Sequence, residues 1–318
     1  MRTDLLPMSM GDVFDEAFDL YKRNFALLAG VVAILYVPAT LALSAVILGM
    51  DTHQFRGDPN SPEALTEAFG MMFALLGVGL VYYLFFIVQS AALTIAVSDR
   101  HLNRPVTMGL AYRRMLPHLL RLLVTWFLAV CIFAVVFLGF FIVMALIVGV
   151  FAAATTGGGR LGETASIAIG LIAILVPGVL VAGFVAGLAL FTVQIVVIEG
   201  GGYLSAFQRN WQLVKGRFWP TLGFALMLLV FTNAMSLAIA GSVNKSLDFL
   251  LYSWMPVSSL TQRIILTVIQ GAVGLFVQPF AMVCITLLYY DRRVRREGFD
   301  LSLLARHLES QQVGEAPA

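Results

Sequence analysis

Residues 9–25, SMGDVFDEAFDLYKRNF, run straight into residues 26–50, ALLAGVVAILYVPATLALSAVILGM. In the first stretch Phe14, Phe18, Tyr21 and Phe25 step by four, three and four residues, which puts them on one face of a helix. Ser9, with Asp12 three residues on, is the pattern of a capping box at its start. The second stretch is apolar all round and longer than the roughly 20 residues needed to cross a bilayer. The same phrase recurs as Ala111, Met115, His118 and Leu122, and again as Phe207, Trp211, Val214 and Phe218. Phe25 and Leu122 are 97 residues apart, and Leu122 and Phe218 are 96 apart. A period of that size predicts three similar units.

Working outward, 60% hydrophobic residues, 12% charged residues and a mean hydropathy of +0.91 exclude an ordinary soluble domain. Six runs are long enough to span lipid: 25–50, 69–97, 119–153, 166–198, 218–240 and 264–290. None shows the alternation of a barrel strand. The expected fold is therefore all-α, a polytopic membrane bundle of six transmembrane helices in three helix-plus-hairpin repeats with cytoplasmic amphipathic helices. The whole chain, 1–318, reads as one integral membrane domain. Its units cover about 9–100, 105–199 and 200–291, followed by a cytoplasmic tail at 292–318 whose end is expected to be disordered. The acidic flank before the first apolar run is wrong for a signal peptide. Cys131 and Cys284 fall inside spans, where they read as packing residues.

Of the 20 lysines and arginines, all but Arg56, Arg160, Lys245 and Arg263 fall in the N-terminus, the 98–121 and 199–217 connections, and the tail. That bias places both termini in the cytoplasm of a cell with an inner membrane. Pro105 and Thr107 are start signals for the second amphipathic helix, and Gly200-Gly201-Gly202 separates the fourth span from the third. Pro38, Pro177 and Pro279 lie within spans as candidate kinks.

Each returning span carries a glutamine: Gln89, Gln194 and Gln278. An unpaired amide in lipid costs several kcal/mol, so these side chains are expected to point inward, with Asn233 as a further member of an intramembrane polar cluster. They read either as glue between helices or as a patch that touches a lipid headgroup or solute. Two charged groups remain. Asp12, Asp15, Glu16 and Asp19 form an acidic stripe, and Arg292, Arg293, Arg295 and Arg296 a basic cluster below the last span. They read as solvated faces, as a site for anionic lipid headgroups, or as a clasp pairing the first unit with the third.

No ionisable residue lies deep within a span, which argues against proton-coupled carriers and ion pumps. Histidines 53, 101, 118 and 307 lack metal-ligand spacing, and no nucleophile elbow, phosphate loop or dinucleotide fingerprint occurs. No catalytic residue, metal or cofactor is expected.

The stretches Met8–Phe18 with Tyr21–Phe25, Val197–Gly200 with Ala206–Gly216, and Tyr289–Leu301 resemble landmarks of bacterial proteins related to the glycerophosphoryl diester phosphodiesterase membrane domain. In that family the membrane domain sometimes precedes a soluble catalytic barrel and often stands alone without assigned activity. The residues after the last span here are too few for a barrel of about 250 residues. The resemblance therefore implies a stand-alone, non-enzymatic relative. The expected function is an inner-membrane scaffold or accessory module in contact with lipid. The alternative is a transporter or flippase-like carrier of a lipid or other amphiphile. Expected partners are membrane lipids, including anionic ones, and a membrane or cytoplasmic protein, with no nucleic acid. Trp211, Phe218 and Trp219 are candidate interfacial anchors.

Overall fold

The computed structural model describes residues 8–52, 62–155, 189–254 and 259–298, with Pro177, Gly178, Val181, Gly183 and Gly187 between them. Most of the expected fourth span, 166–198, lies outside the described residues. So do the outer half of the expected first loop and all but the first residues of the tail.

The described chain is helical, with no strand. Helix α1, Met10–Arg23, begins at the capping box read from sequence. The Asp12 amide donates to Ser9 Oγ at 3.2 Å and the Ser9 amide to Asp12 Oδ2 at 2.8 Å. It ends at Asn24, whose backbone N–H and side-chain amide both reach back to the Leu20 carbonyl. The chain then restarts as α2, Phe25–Thr52, which pairs with α3, Pro62–His101. Thr107 caps α4, Met108–Met115, by accepting from the Leu110 amide at 3.3 Å. A tight turn at Leu116–His118, holding Pro117, leads into α5, Leu119–Thr155. The second copy of the phrase thus breaks inside itself, because a proline supplies no N–H to continue the helix.

The returning chain re-enters as α6, Thr192–Gln194, and widens into a π turn over Ile195–Glu199. Gly200 closes it at φ +71, a left-handed conformation that suits glycine. Helix α7, Leu204–Val214, passes through the turn Lys215–Arg217 into α8, Phe218–Trp254. The last helix, α9, is Ser259–Glu297. Pro38 lies inside α2 and Pro279 inside α9, and both helices continue through them.

Among the described residues, five stretches are long and apolar enough to cross a membrane: Phe25–Ala45, Phe69–His101, Met108–Ile147, Leu204–Ile239 and Gly271–Glu297. Their burial differs sharply. Half of the most apolar window of α9 is buried within the protein, against 6% in those of α3 and α5. Helix α9 packs against α1, α2, α3, α7 and α8, and the Gln89–Asp99 end of α3 is buried with it in the core. Outward apolar side chains such as Phe127, Val135 and Leu138 are what a lipid-facing helix requires, since lipid chains supply no drive to bury them.

Helix α1 runs along α9 from Asp291, which Met8 meets, to Phe276, which Tyr21 meets; α7 reaches the arginine-rich end of α9, and α4 packs on α3 and α2. In α1 the deepest row is Val13, Ala17 and Leu20, one residue before the aromatic row read from sequence. The small side chains let the helix backbone approach closely. The aromatic row wraps the seam instead: Phe14, Phe18 and Tyr21 set their rings edge-on to Phe280, and Phe25 stacks on Phe276. In α4, Ala111 and Met115 are buried as expected, and Leu122 is buried in α5. In α7 the buried positions are Ala206, Asn210, Leu213 and Val214, whereas Trp211 is exposed.

Candidate functional site: the polar base around the last helix

The final turns of α9 place three rows of polar side chains on three faces, because residues four apart fall on the same face. Tyr289, Arg293 and Glu297 form one row, Asp291 and Arg295 a second, and Arg292 and Arg296 a third.

The first row closes a network with Glu199, at the end of the π turn, and Arg209 of α7. Arg209 donates to both oxygens of Glu199, Nε at 2.7 Å and Nη2 at 3.1 Å, and lies 2.5 Å from Glu297 Oε1. The Tyr289 hydroxyl donates to Glu199 Oε1 at 2.6 Å. Arg293 reaches Glu199 at 3.4 Å and Glu297 at 3.2 Å. Burial opposes ionisation of Glu199. Hydrogen bonds from Arg209 and Tyr289, with the positive charge of Arg209 and Arg293, outweigh it and hold its carboxyl below the usual range. Two guanidiniums, two carboxylates and a phenol thus fasten three segments with little net charge.

The second row ties the segment before α1 to α9. The Met8 amide donates to Asp291 Oδ1 at 2.9 Å, Arg295 donates to both oxygens of Asp291, and Arg295 Nη2 donates to the Met8 carbonyl at 2.5 Å. Elsewhere Arg114 of α4 donates to Asp99 of α3 at 2.6 Å, and Ser98 lies 2.5 Å from the Tyr290 hydroxyl. Asn210, fully buried, accepts from the Phe191 amide at 3.0 Å and donates to the Gly187 carbonyl at 2.7 Å. It substitutes for helical hydrogen bonds where the returning chain changes register.

The sequence-predicted residues divide. In the acidic stripe, Asp12 serves the capping box, Asp19 pairs with Arg23 on its own helix at 3.1 Å, Asp15 is exposed and Glu16 half-buried. The first described residues do meet α9, but that contact runs through the Met8 backbone. Within the basic cluster, Arg293 and Arg295 are engaged by carboxylates, Arg292 is buried and Arg296 exposed. The helix also continues past 292, where the tail was expected to begin.

Of the amides, Gln89 and Gln194 are buried. Gln194 Nε2 donates to Thr286 Oγ1 at 3.4 Å and faces Met282 Sδ at 3.7 Å, so it does bridge to α9. Oε1 of each has no hydrogen-bond partner among the described residues. Gln278 is half-buried with no side-chain hydrogen bond among the described residues. Asn233 is exposed and donates to the Leu229 carbonyl of its own helix, so it is not hydrogen-bonded into a cluster with the glutamines. Glu199, Arg209, Asn210 and Tyr289, which hold the base together, were not legible as a group. Each lies in one of the landmark stretches quoted from the sequence, but nothing in those stretches pairs them.

These features define an all-helical, multi-pass membrane protein. The family described as Domain of unknown function (DUF7847) matches residues 8–292, and the chain belongs to it. No curated protein and no solved structure matches the chain. Among the described residues no group of three or more His, Cys, Asp or Glu side chains is placed to hold a metal ion.

Proposed function

We propose that this chain is a non-enzymatic scaffold or accessory module of a bacterial inner membrane, with both termini cytoplasmic. The reading takes 166–198 as a sixth span, and the three amphipathic helices with their span pairs as repeats. It also takes the chain as a stand-alone relative of the glycerophosphoryl diester phosphodiesterase membrane domain. The observation that carries it is how the basal charges are used. Glu199, Glu297, Asp291 and Asp99 are each paired with an arginine, and each pair joins segments of the fold or braces the last helix. Such groups hold helices in place and leave those carboxylates engaged, which suits a platform more than a reaction centre.

The carrier reading keeps one specific support, the buried Oε1 atoms of Gln89 and Gln194 that lack partners among the described residues. Purification in native-like lipid, with mass spectrometry of what remains bound, separates the two. A stoichiometric protein partner that persists when Gln89, Gln194 and Gln278 are changed to Leu supports the scaffold. A single enriched amphiphile that is lost in that variant overturns it in favour of a carrier.

A further inference from the structure

The third row of α9 faces a cavity of about 190 Å³ lined by Leu213, Gly216, Arg217, Arg292, Arg295 and Arg296. Four of those six residues are arginines. Arg295 is neutralised by Asp291, whose two oxygens already accept from Arg295 and the Met8 amide. Among the described residues the carboxylate paired with Arg292 is also Asp291, at 4.0 Å from Nη1, the outer limit of an ion pair. The Arg292 side chain is only 1% exposed, and its Nε and Nη2 have no hydrogen-bond partner among the described residues. No ion pair is described for Arg217 or Arg296, both exposed at the cavity mouth.

A guanidinium removed from water without an acceptor is strongly unfavourable, and three more beside it make it worse. A planar fork of N–H donors matches the oxygens of a phosphate, and several forks around one cavity can engage one tetrahedral anion. Gly216 keeps the space open, because a Cβ there would overlap the Arg296 guanidinium. The site lies at the turn where α7 passes into the α8 span, the depth of a lipid headgroup if that end meets the membrane surface.

We propose that Arg217, Arg292, Arg295 and Arg296 form a binding site for a phosphate group, with Arg292 as its buried floor. The site goes beyond the scaffold reading and stands whether or not that reading holds. The group comes from a phospholipid headgroup or from free phosphate, and the test distinguishes them.

Thermal unfolding of the full chain in an uncharged detergent is followed with sodium phosphate, with short-chain phosphatidylglycerol, and with sodium chloride at matched ionic strength. Ligand that binds only the folded state raises the midpoint. Phosphate, the lipid or both should raise it beyond chloride. A response to the lipid at lower concentration than to phosphate identifies the headgroup, and an equal response identifies the free anion. Arg292→Met should unfold at a higher temperature than the native chain without ligand, by removing an uncompensated charge, and should lose the response. Gly216→Ala displaces only the flexible end of Arg296 and should weaken apparent binding about tenfold. If neither phosphate compound exceeds chloride, or if both variants respond like the native chain, the site does not exist. Should Arg292→Met fail to fold, Gly216→Ala decides alone.

Discussion

Glu199 is the acceptor at which the π turn, α7 and α9 meet, so its removal affects all three. Glu199→Gln should cost about 2 kcal/mol, because Arg209 and Arg293 lose their shared anion while remaining partly buried. Tyr289→Phe removes a single hydrogen bond to that carboxylate and should cost roughly 1 kcal/mol. Chemical denaturation in mild detergent checks both. The pH dependence has a definite sign. The Glu199 carboxyl is held below its usual range in the fold, so its contribution is complete above the ordinary carboxylate pKa. It drains away as pH falls through the depressed folded value. Glu199→Gln should therefore show a flatter acid limb than the native chain, and an unchanged limb would remove Glu199 from the account.

Among elements, α1 and the re-entrant segment make opposite demands on sequence reading. Ser9→Ala should cost about 1 kcal/mol and raise amide exchange in the first turn of α1, because the capping box is local. Asn210→Leu should cost about 2 kcal/mol or more, since the Phe191 amide and Gly187 carbonyl are left buried without it. A variant as stable as the native chain would mean that the returning chain finds other partners. The first feature was legible because Ser9 and Asp12 are three residues apart and their chemistry is that of any helix start. Thr107 and Gly200 were legible for the same reason. The second was not, because Asn210 serves backbone groups about twenty residues upstream, and an asparagine on an amphipathic face looks like surface. The aromatic row of α1 misled in a physical way. Large rings signal burial, yet the buried row of α1 is Val13, Ala17 and Leu20, while Phe14 and Tyr21, less buried, pack on Phe280 of α9 and Phe18 is exposed.

For the whole molecule, composition alone indicated a helical membrane bundle, and the long apolar helices agree with it. Which helix lies at the centre was not readable, since all the spans are similarly apolar. It emerges from burial, with α9 and the Gln89–Asp99 end of α3 enclosed, and the most apolar windows of α3 and α5 facing outward. The ionic base was hidden because its partners are far apart in sequence, Glu199 with Tyr289 and Met8 with Asp291. Opposite charges at a distance cannot be paired by periodicity.

The proposed architecture sets α1, α4, α7 and the end of α9 together on the cytoplasmic side, beneath six spans. Cys131 and Cys284 are first replaced by alanine, and single cysteines are introduced at the exposed positions Asp15, Arg113, Lys215 and Lys245. Labelling in intact cells with a membrane-impermeant thiol reagent, before and after lysis, then reads the side of each. The account predicts that Lys245→Cys labels from outside and the other three only after lysis. If Lys245→Cys labels together with the others, or if those three divide between the two sides, there is no common base and the architecture is wrong.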